Sequence, residues 1–171
     1  MQGRVAIVTG AGRGLGRVFA KRFAKEGSTA IIAEIDGVRA ESVAEEIIGS
    51  GGHAIPVQTD ISDEDSVGAM VERIISDLGR IDILINNAAL LGSLKRGPFE
   101  EIPPEEFEDA LKVNVMGAFL VARSVVPVMR KAGWGRIINM SSGYGGKWGS
   151  RLPTLCDIEG CISGIDPRAS S

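Results

Sequence analysis

The sequence predicts a doubly wound α/β fold, a parallel sheet with helices on both faces. Three observations predict it. The first is Val5-Ala6-Ile7-Val8, an unbroken apolar run of the kind buried on both faces of a parallel sheet. The second is the stretch that follows at once, Thr9-Gly10-Ala11-Gly12-Arg13-Gly14-Leu15-Gly16, which leads into Leu15, Val18, Phe19 and Phe23 at the spacing of one helix face. The third is alternation: further short apolar runs recur along the chain with helical patterns between them. The glycines therefore occupy a tight strand-to-helix turn. Glycine tolerates positive φ and lets a ligand approach the backbone. The helix that follows offers unpaired N–H groups and a positive dipole end, which suit a diphosphate.

Composition narrows the possible partners. The chain has 171 residues and a formal net charge of −3, which fits one domain with a buried core. It has no block of basic residues, so nucleic acid is not expected as a partner. No apolar run reads as long enough to span a membrane, so no membrane partner is expected either. Met1 lies just ahead of the first strand, which leaves no room for a signal peptide and makes the cytoplasm the expected compartment. The single histidine, His53, follows Gly51-Gly52 and reads as a solvated loop residue. Both cysteines, Cys156 and Cys161, fall in the last stretch, so no metal-ligand spacing exists.

The second strand is Ala30-Ile31-Ile32-Ala33, ending in Glu34-Ile35-Asp36. An acid at this place in a dinucleotide fold can accept hydrogen bonds from the adenosine ribose and repel a 2′-phosphate. Glu34 thus favours NAD over NADP. A merely solvated strand-end acid is the alternative, and Arg13 in the glycine turn is a base that could meet a 2′-phosphate. A helix follows with Val38, Val43, Ala44, Ile47 and Ile48 on its inner face, and Gly49 to Gly52 stop it. The third strand, about Ala54 to Gln58, leads to Thr59-Asp60-Ile61-Ser62, where Ser62 and Asp65 look like a capping pair. The next helix carries Val67, Met70, Val71, Ile74, Ile75 and Leu78, and Gly79 ends it. The fourth strand, Ile81 to Ile85, runs into Asn86-Asn87-Ala88-Ala89. A polar loop over residues 90–102 then precedes Pro103-Pro104, which opens a long helix from about Glu105 to Lys131. Gly135-Arg136-Ile137-Ile138-Asn139-Met140 is the fifth strand, running into Ser141-Ser142.

These motifs, in this order, resemble the short-chain dehydrogenase/reductase family. The turn has that family's Thr-Gly-x-x-x-Gly-x-Gly spacing, and Asn86-Asn87-Ala88-Ala89 departs from its Asn-Asn-Ala-Gly by one methyl group. The resemblance implies a Rossmann-type sheet of order 3-2-1-4-5 over residues 1–150, without the family's last two strands. It implies that Gly10, Gly12, Arg13, Gly14, Leu15 and Gly16 hold the cofactor together with Glu34 and Ile35. Asp60 and Ile61 would meet the adenine, and Asn87, Ala88 and Ala89 would lie beside the nicotinamide ribose, where Ala89 could crowd the cofactor slightly. Asn114, in Lys112-Val113-Asn114-Val115, matches the family's helix-kinking Asn that holds a water in a proton relay, although a plain buried Asn would look the same in isolation. Ser142 matches the catalytic serine that polarises the substrate carbonyl. The implied reaction is hydride transfer between NAD and a small alcohol or carbonyl compound, and intact relatives are expected to be homo-oligomers.

The resemblance fails where the catalytic acid should stand. The family carries a Tyr-x-x-x-Lys pair after the serine. The lysine lowers the tyrosine pKa, and the phenol trades a proton with the substrate oxygen. The resemblance places that pair at Leu155 and Glu159, and neither residue can serve. Tyr144, the only tyrosine, has Lys147 nearby, but the glycines around it argue for a loop aromatic. Residues 151–171 form an irregular tail with no clear period. A shift of one base reconciles the two halves. The last two bases of each codon, read with the first base of the next, can encode Tyr-Ala-Ile-Ser-Lys from Leu155 onward. The sequence therefore supports two readings, an NAD-dependent oxidoreductase or a non-catalytic nucleotide-binding remnant. A dedicated NAD-sensing module has no feature in its favour.

Overall fold

The computed structural model describes residues 1–90 and 99–141. Among these, five parallel strands form one sheet of order β3-β2-β1-β4-β5: β1 (Val5–Thr9), β2 (Thr29–Glu34), β3 (His53–Gln58), β4 (Ile83–Asn86) and β5 (Arg136–Asn139). The chain is Rossmann-type. The sheet turns back beside β1, which pairs with β2 on one side (Ile7 opposite Ile31) and β4 on the other (Ile7 opposite Leu84). Every residue of β1 and β4 is buried, as their unbroken apolar character requires.

Alternation along the strands divides the core in two. Val5, Ile7, Ile31, Ala33, Val57 and Leu84 face α3 (Glu64–Leu78) and α5 (Ala118–Lys131). Ala6, Val8, Ala30, Ile32, Ile83 and Ile85 face α1 (Gly14–Lys25) and α2 (Gly37–Gly49). At the end of the sheet opposite the glycine turn, Asp82 is buried and gathers the Val5 N–H (2.9 Å), Arg4 (2.9 Å) and Arg80 (2.6 Å). The Arg4 guanidinium in turn lies 3.5 Å from the centre of the Trp134 ring.

Several sequence expectations are corrected here. On α1 it is Gly16, Ala20 and Ala24 that are buried, while Leu15 and Val18 are exposed. Residues four apart share a face, and this set is small enough to bring the helix close to the sheet. On α2 the buried set is Ala40, Val43, Ala44 and Ile47, and Val38 and Ile48 face solvent. Asp63, not Ser62, caps α3 by accepting from the Asp65 N–H at 3.0 Å; the Ser62 hydroxyl instead donates to Asp60 at 2.7 Å. The long helix starts on Pro104 as expected and is interrupted at Asn114, where the resemblance implies a kink. Between α4 (Pro104–Leu111) and α5, residues Lys112–Gly117 form a π-helical turn centred on Asn114 and Val115. The helical stretch Pro104–Lys131 also contains an 18-residue window of mean hydropathy 1.5, so by length and composition one helix is apolar enough to cross a membrane, contrary to the sequence expectation. Its Leu120, Val121, Val125 and Met129 are packed into the core against α3 and the sheet.

Candidate cofactor site

The carboxyl ends of β1, β2, β3 and β4 meet where the strand order reverses, the place at which open α/β sheets bind ligands. Gly10 (φ +63°) and Gly14 (φ +54°) adopt left-handed backbone that other residues take up only with strain. The Gly10 N–H donates to the Ala33 carbonyl at 2.8 Å and so hooks the turn onto β2. Gly16 is required for a different reason: a Cβ there would collide with the Gly10 carbonyl oxygen and stand 2.6 Å from Asn87 Nδ2. Arg13 precedes α1 in extended conformation. No side chain caps that helix and no acid lies in its first turn. These features fit a diphosphate on the helix N-terminus.

Glu34 closes β2 and is 9% exposed. Its Oε2 accepts from the Gly12 N–H at 3.0 Å, and its Oε1 accepts from the Ile35 N–H at 3.1 Å. The acid is thus folded against the glycine turn. Ile35 beside it is exposed and offers an apolar rim. Asp60 follows β3. Its Oδ1 accepts from the Ser62 N–H at 2.9 Å and from the Ser62 hydroxyl, while its own N–H donates to the Ser66 hydroxyl at 3.0 Å. Ile61 is buried beneath Gly117, where a Cβ would lie 2.7 Å from the Ile61 Cδ1. The bend after β3 is therefore anchored from below by the helix that carries Asn114.

The turn after β4 is tied to the glycine turn. The Thr9 hydroxyl accepts from the N–H groups of Asn87 and Ala88, both at 3.0 Å. Asn87 Nδ2 donates back to the carbonyls of Thr9 (3.0 Å) and Gly10 (3.3 Å). Ala88 lies directly under Gly10, where a Cβ would come within 2.8 Å of the Ala88 Cα. Ala89 is half-buried just beyond. Sequence reasoning missed two members of this network. Thr9 stands inside the motif but has no charge to draw notice. Asn86 reaches from β4 to the Ala118 carbonyl (3.2 Å) and to Asn139 Oδ1 (2.9 Å), which fastens β5 and α5 to the site. A third residue it missed is Arg39, whose Cβ flanks the Gly12 backbone and whose guanidinium pairs with Asp36 at 3.0 Å.

Asn114 is buried in the π-helical turn. Its Oδ1 accepts from the Leu90 N–H at 2.7 Å, while its Nδ2 has no partner among the described residues. A buried donor without a partner is costly and marks a place for an acceptor. The Met140 N–H donates to the Asn86 carbonyl at 2.9 Å, so β5 delivers the chain to the same end of the sheet. Ser142 itself, with Tyr144, Lys147, Leu155, Glu159 and the 151–171 tail, lies outside the described residues.

The sequence model described as short chain dehydrogenase matches residues 4–153. The chain belongs to the short-chain dehydrogenase family. A 3-oxoacyl-[acyl-carrier-protein] reductase from Aquifex aeolicus is 41% identical over 146 residues, which cover 85% of this chain and 58% of that protein. An NAD+-bound xylitol dehydrogenase superposes with a TM-score of 0.87 at 30% identity, over 94% of this chain and 61% of that one. A metagenomic short-chain oxidoreductase in complex with NADP superposes with a TM-score of 0.81 at 32% identity, over 88% and 67%. The chain spans little more than half the length of the curated relatives it matches.

Proposed function

We propose that this chain binds NAD in preference to NADP at the carboxyl end of its sheet, as the nucleotide-binding part of an oxidoreductase acting on a small alcohol or carbonyl compound. The observation that carries the reading is Glu34, nearly buried at the end of β2 with its carboxylate against the glycine turn. There it can receive the ribose hydroxyls and repel a 2′-phosphate. Support for a dinucleotide comes from the family and from relatives bound to NAD+ and to NADP. The test is titration of the chain with both cofactors: tighter binding of NAD is expected, and tighter binding of NADP would mean that Arg13 outweighs Glu34.

Bound NAD would supply the hydride acceptor. The chain's residues would do the rest. Backbone N–H groups of the glycine turn would hold the diphosphate, and Asp60 with the following amide would meet the adenine. Ser142 would donate a hydrogen bond to the substrate oxygen, and Asn114 would hold a relay water. What this sequence does not supply is the acid, because Leu155 and Glu159 stand where the family has Tyr and Lys. The polypeptide as written is therefore read as a nucleotide binder without turnover. The family match ends at residue 153, two residues before Leu155, which supports the one-base shift as the origin of the tail.

A further inference from the structure

We propose that Gly12 is a positioning residue for cofactor selection: its missing side chain is the space in which Glu34 lies, and a larger residue there would displace the carboxylate and erode discrimination against a 2′-phosphate. The inference rests on Glu34 being the selecting acid. Gly12 differs from the other glycines of the turn. Gly10 and Gly14 have positive φ and Gly16 abuts a backbone carbonyl, but Gly12 is outside the left-handed region and nothing in its own backbone conformation requires glycine. What requires it is side-chain space. A Cβ on Gly12 would stand 2.8 Å from the Glu34 Cγ, 2.9 Å from its Oε2 and 2.9 Å from the Arg39 Cβ.

Glu34 cannot retreat as a whole. Its backbone is paired with Gln58 on β3, and its carbonyl accepts from the Thr59 N–H at 2.8 Å. The side chain must therefore swing, which also breaks the 3.0 Å bond from the Gly12 N–H that aims the carboxylate. With the acid turned away, the charged groups left on that rim are Arg13 on the turn, Arg39 at the start of α2 and Asp36, with which Arg39 pairs at 3.0 Å. The same substitution thus removes a repulsion and leaves Arg13, outside the Asp36–Arg39 pair, to meet a phosphate.

The experiment is titration of the 171-residue chain with NAD+ and with NADP+ for the wild type, Gly12→Ala, Glu34→Ala and the double variant. Gly12→Ala is expected to reduce the NAD-over-NADP affinity ratio by about tenfold or more, the scale of one charged hydrogen bond lost. Glu34→Ala is expected to do the same, and the double variant should match Glu34→Ala alone, because the two changes act through one group. If Glu34→Ala lowers the ratio and Gly12→Ala does not, or if Gly12→Ala weakens both cofactors equally, the inference is overturned and the reading of Glu34 stands. If Glu34→Ala leaves the ratio unchanged, or the wild type binds neither cofactor, the reading of Glu34 falls and the inference with it. Should Gly12→Ala not fold, the double variant decides: recovery of the fold supports the inference, and failure to recover it overturns it.

Discussion

Asn87 fastens the turn after β4 to the turn after β1, with its Nδ2 donating to the Thr9 carbonyl at 3.0 Å and to the Gly10 carbonyl at 3.3 Å. The two turns that flank the sheet's reversal point are thereby one unit. Asn87→Ala leaves both part-buried carbonyls short of a donor and is expected to destabilise the fold by about 1–3 kcal/mol. Asn87→Asp has the same shape but only acceptors, so it should be worse than alanine. Thermal melts of the three chains, with NAD titrations beside them, are the check. Melting and affinity unchanged by Asn87→Ala would remove this role from the side chain.

Two glycine-to-alanine changes should have opposite signs. Gly16→Ala drives a methyl group into the Gly10 carbonyl and against Asn87, and is expected to destabilise by about 1–3 kcal/mol and to weaken NAD binding. Gly68 lies inside α3 with nothing within 4 Å of its missing Cβ. Gly68→Ala is expected to stabilise by about 0.5–1 kcal/mol without touching cofactor affinity. A similar loss from both would show that the crowding at Gly16 is not what matters.

Asp82 should make the fold sensitive to acid. Burial pushes its carboxyl pKa up, but Arg80, the Val5 N–H and Arg4 together outweigh burial and hold it below the ordinary value of 3.8. The folded pKa is thus the lower one. The stabilisation is complete above the unfolded value and is lost as pH falls from about there through the folded pKa. Asp82→Asn should lower the melting temperature near neutral pH and flatten its decline in acid. Parallel acid profiles for the two chains would refute the assignment.

Turnover should be absent from this chain and present in a frame-corrected one. On the proposed reading Ser142 and Asn114 would polarise and order, but Leu155 stands at the family's acid position, and general acid–base catalysis is worth about 10²–10⁴-fold. Restoring the frame upstream of codon 155 would return Tyr and Lys in one step, and the lysine's contact with the nicotinamide ribose with them. NAD reduction with a panel of secondary alcohols is the assay for both chains. Equal turnover from the two would sink the frame-shift account and point back to Tyr144.

The sequence by itself determined the strands, their parallel pairing and the place of the glycine turn, because these depend on local signals. Val5–Val8 is apolar at every position, Gly10 to Gly16 have the spacing of a strand-to-helix turn, and Gly79 and Pro104 mark helix ends through their own backbone preferences. Only the tertiary structure decided which helix residues are buried. Leu15 and Val18 are more apolar than Gly16 and Ala20, yet close packing of α1 on the sheet selects the small face. The same holds for the site. Periodicity cannot show that the Thr9 hydroxyl receives two N–H groups from a turn 78 and 79 residues away, or that Asn114 sits in a π-helical turn with its Nδ2 unpartnered among the described residues. Nor can it show that Gly12 owes its lack of a side chain to Glu34, 22 residues further on. Contacts between distant segments depend on where the backbone places them, and that placement exists only once the sheet has assembled.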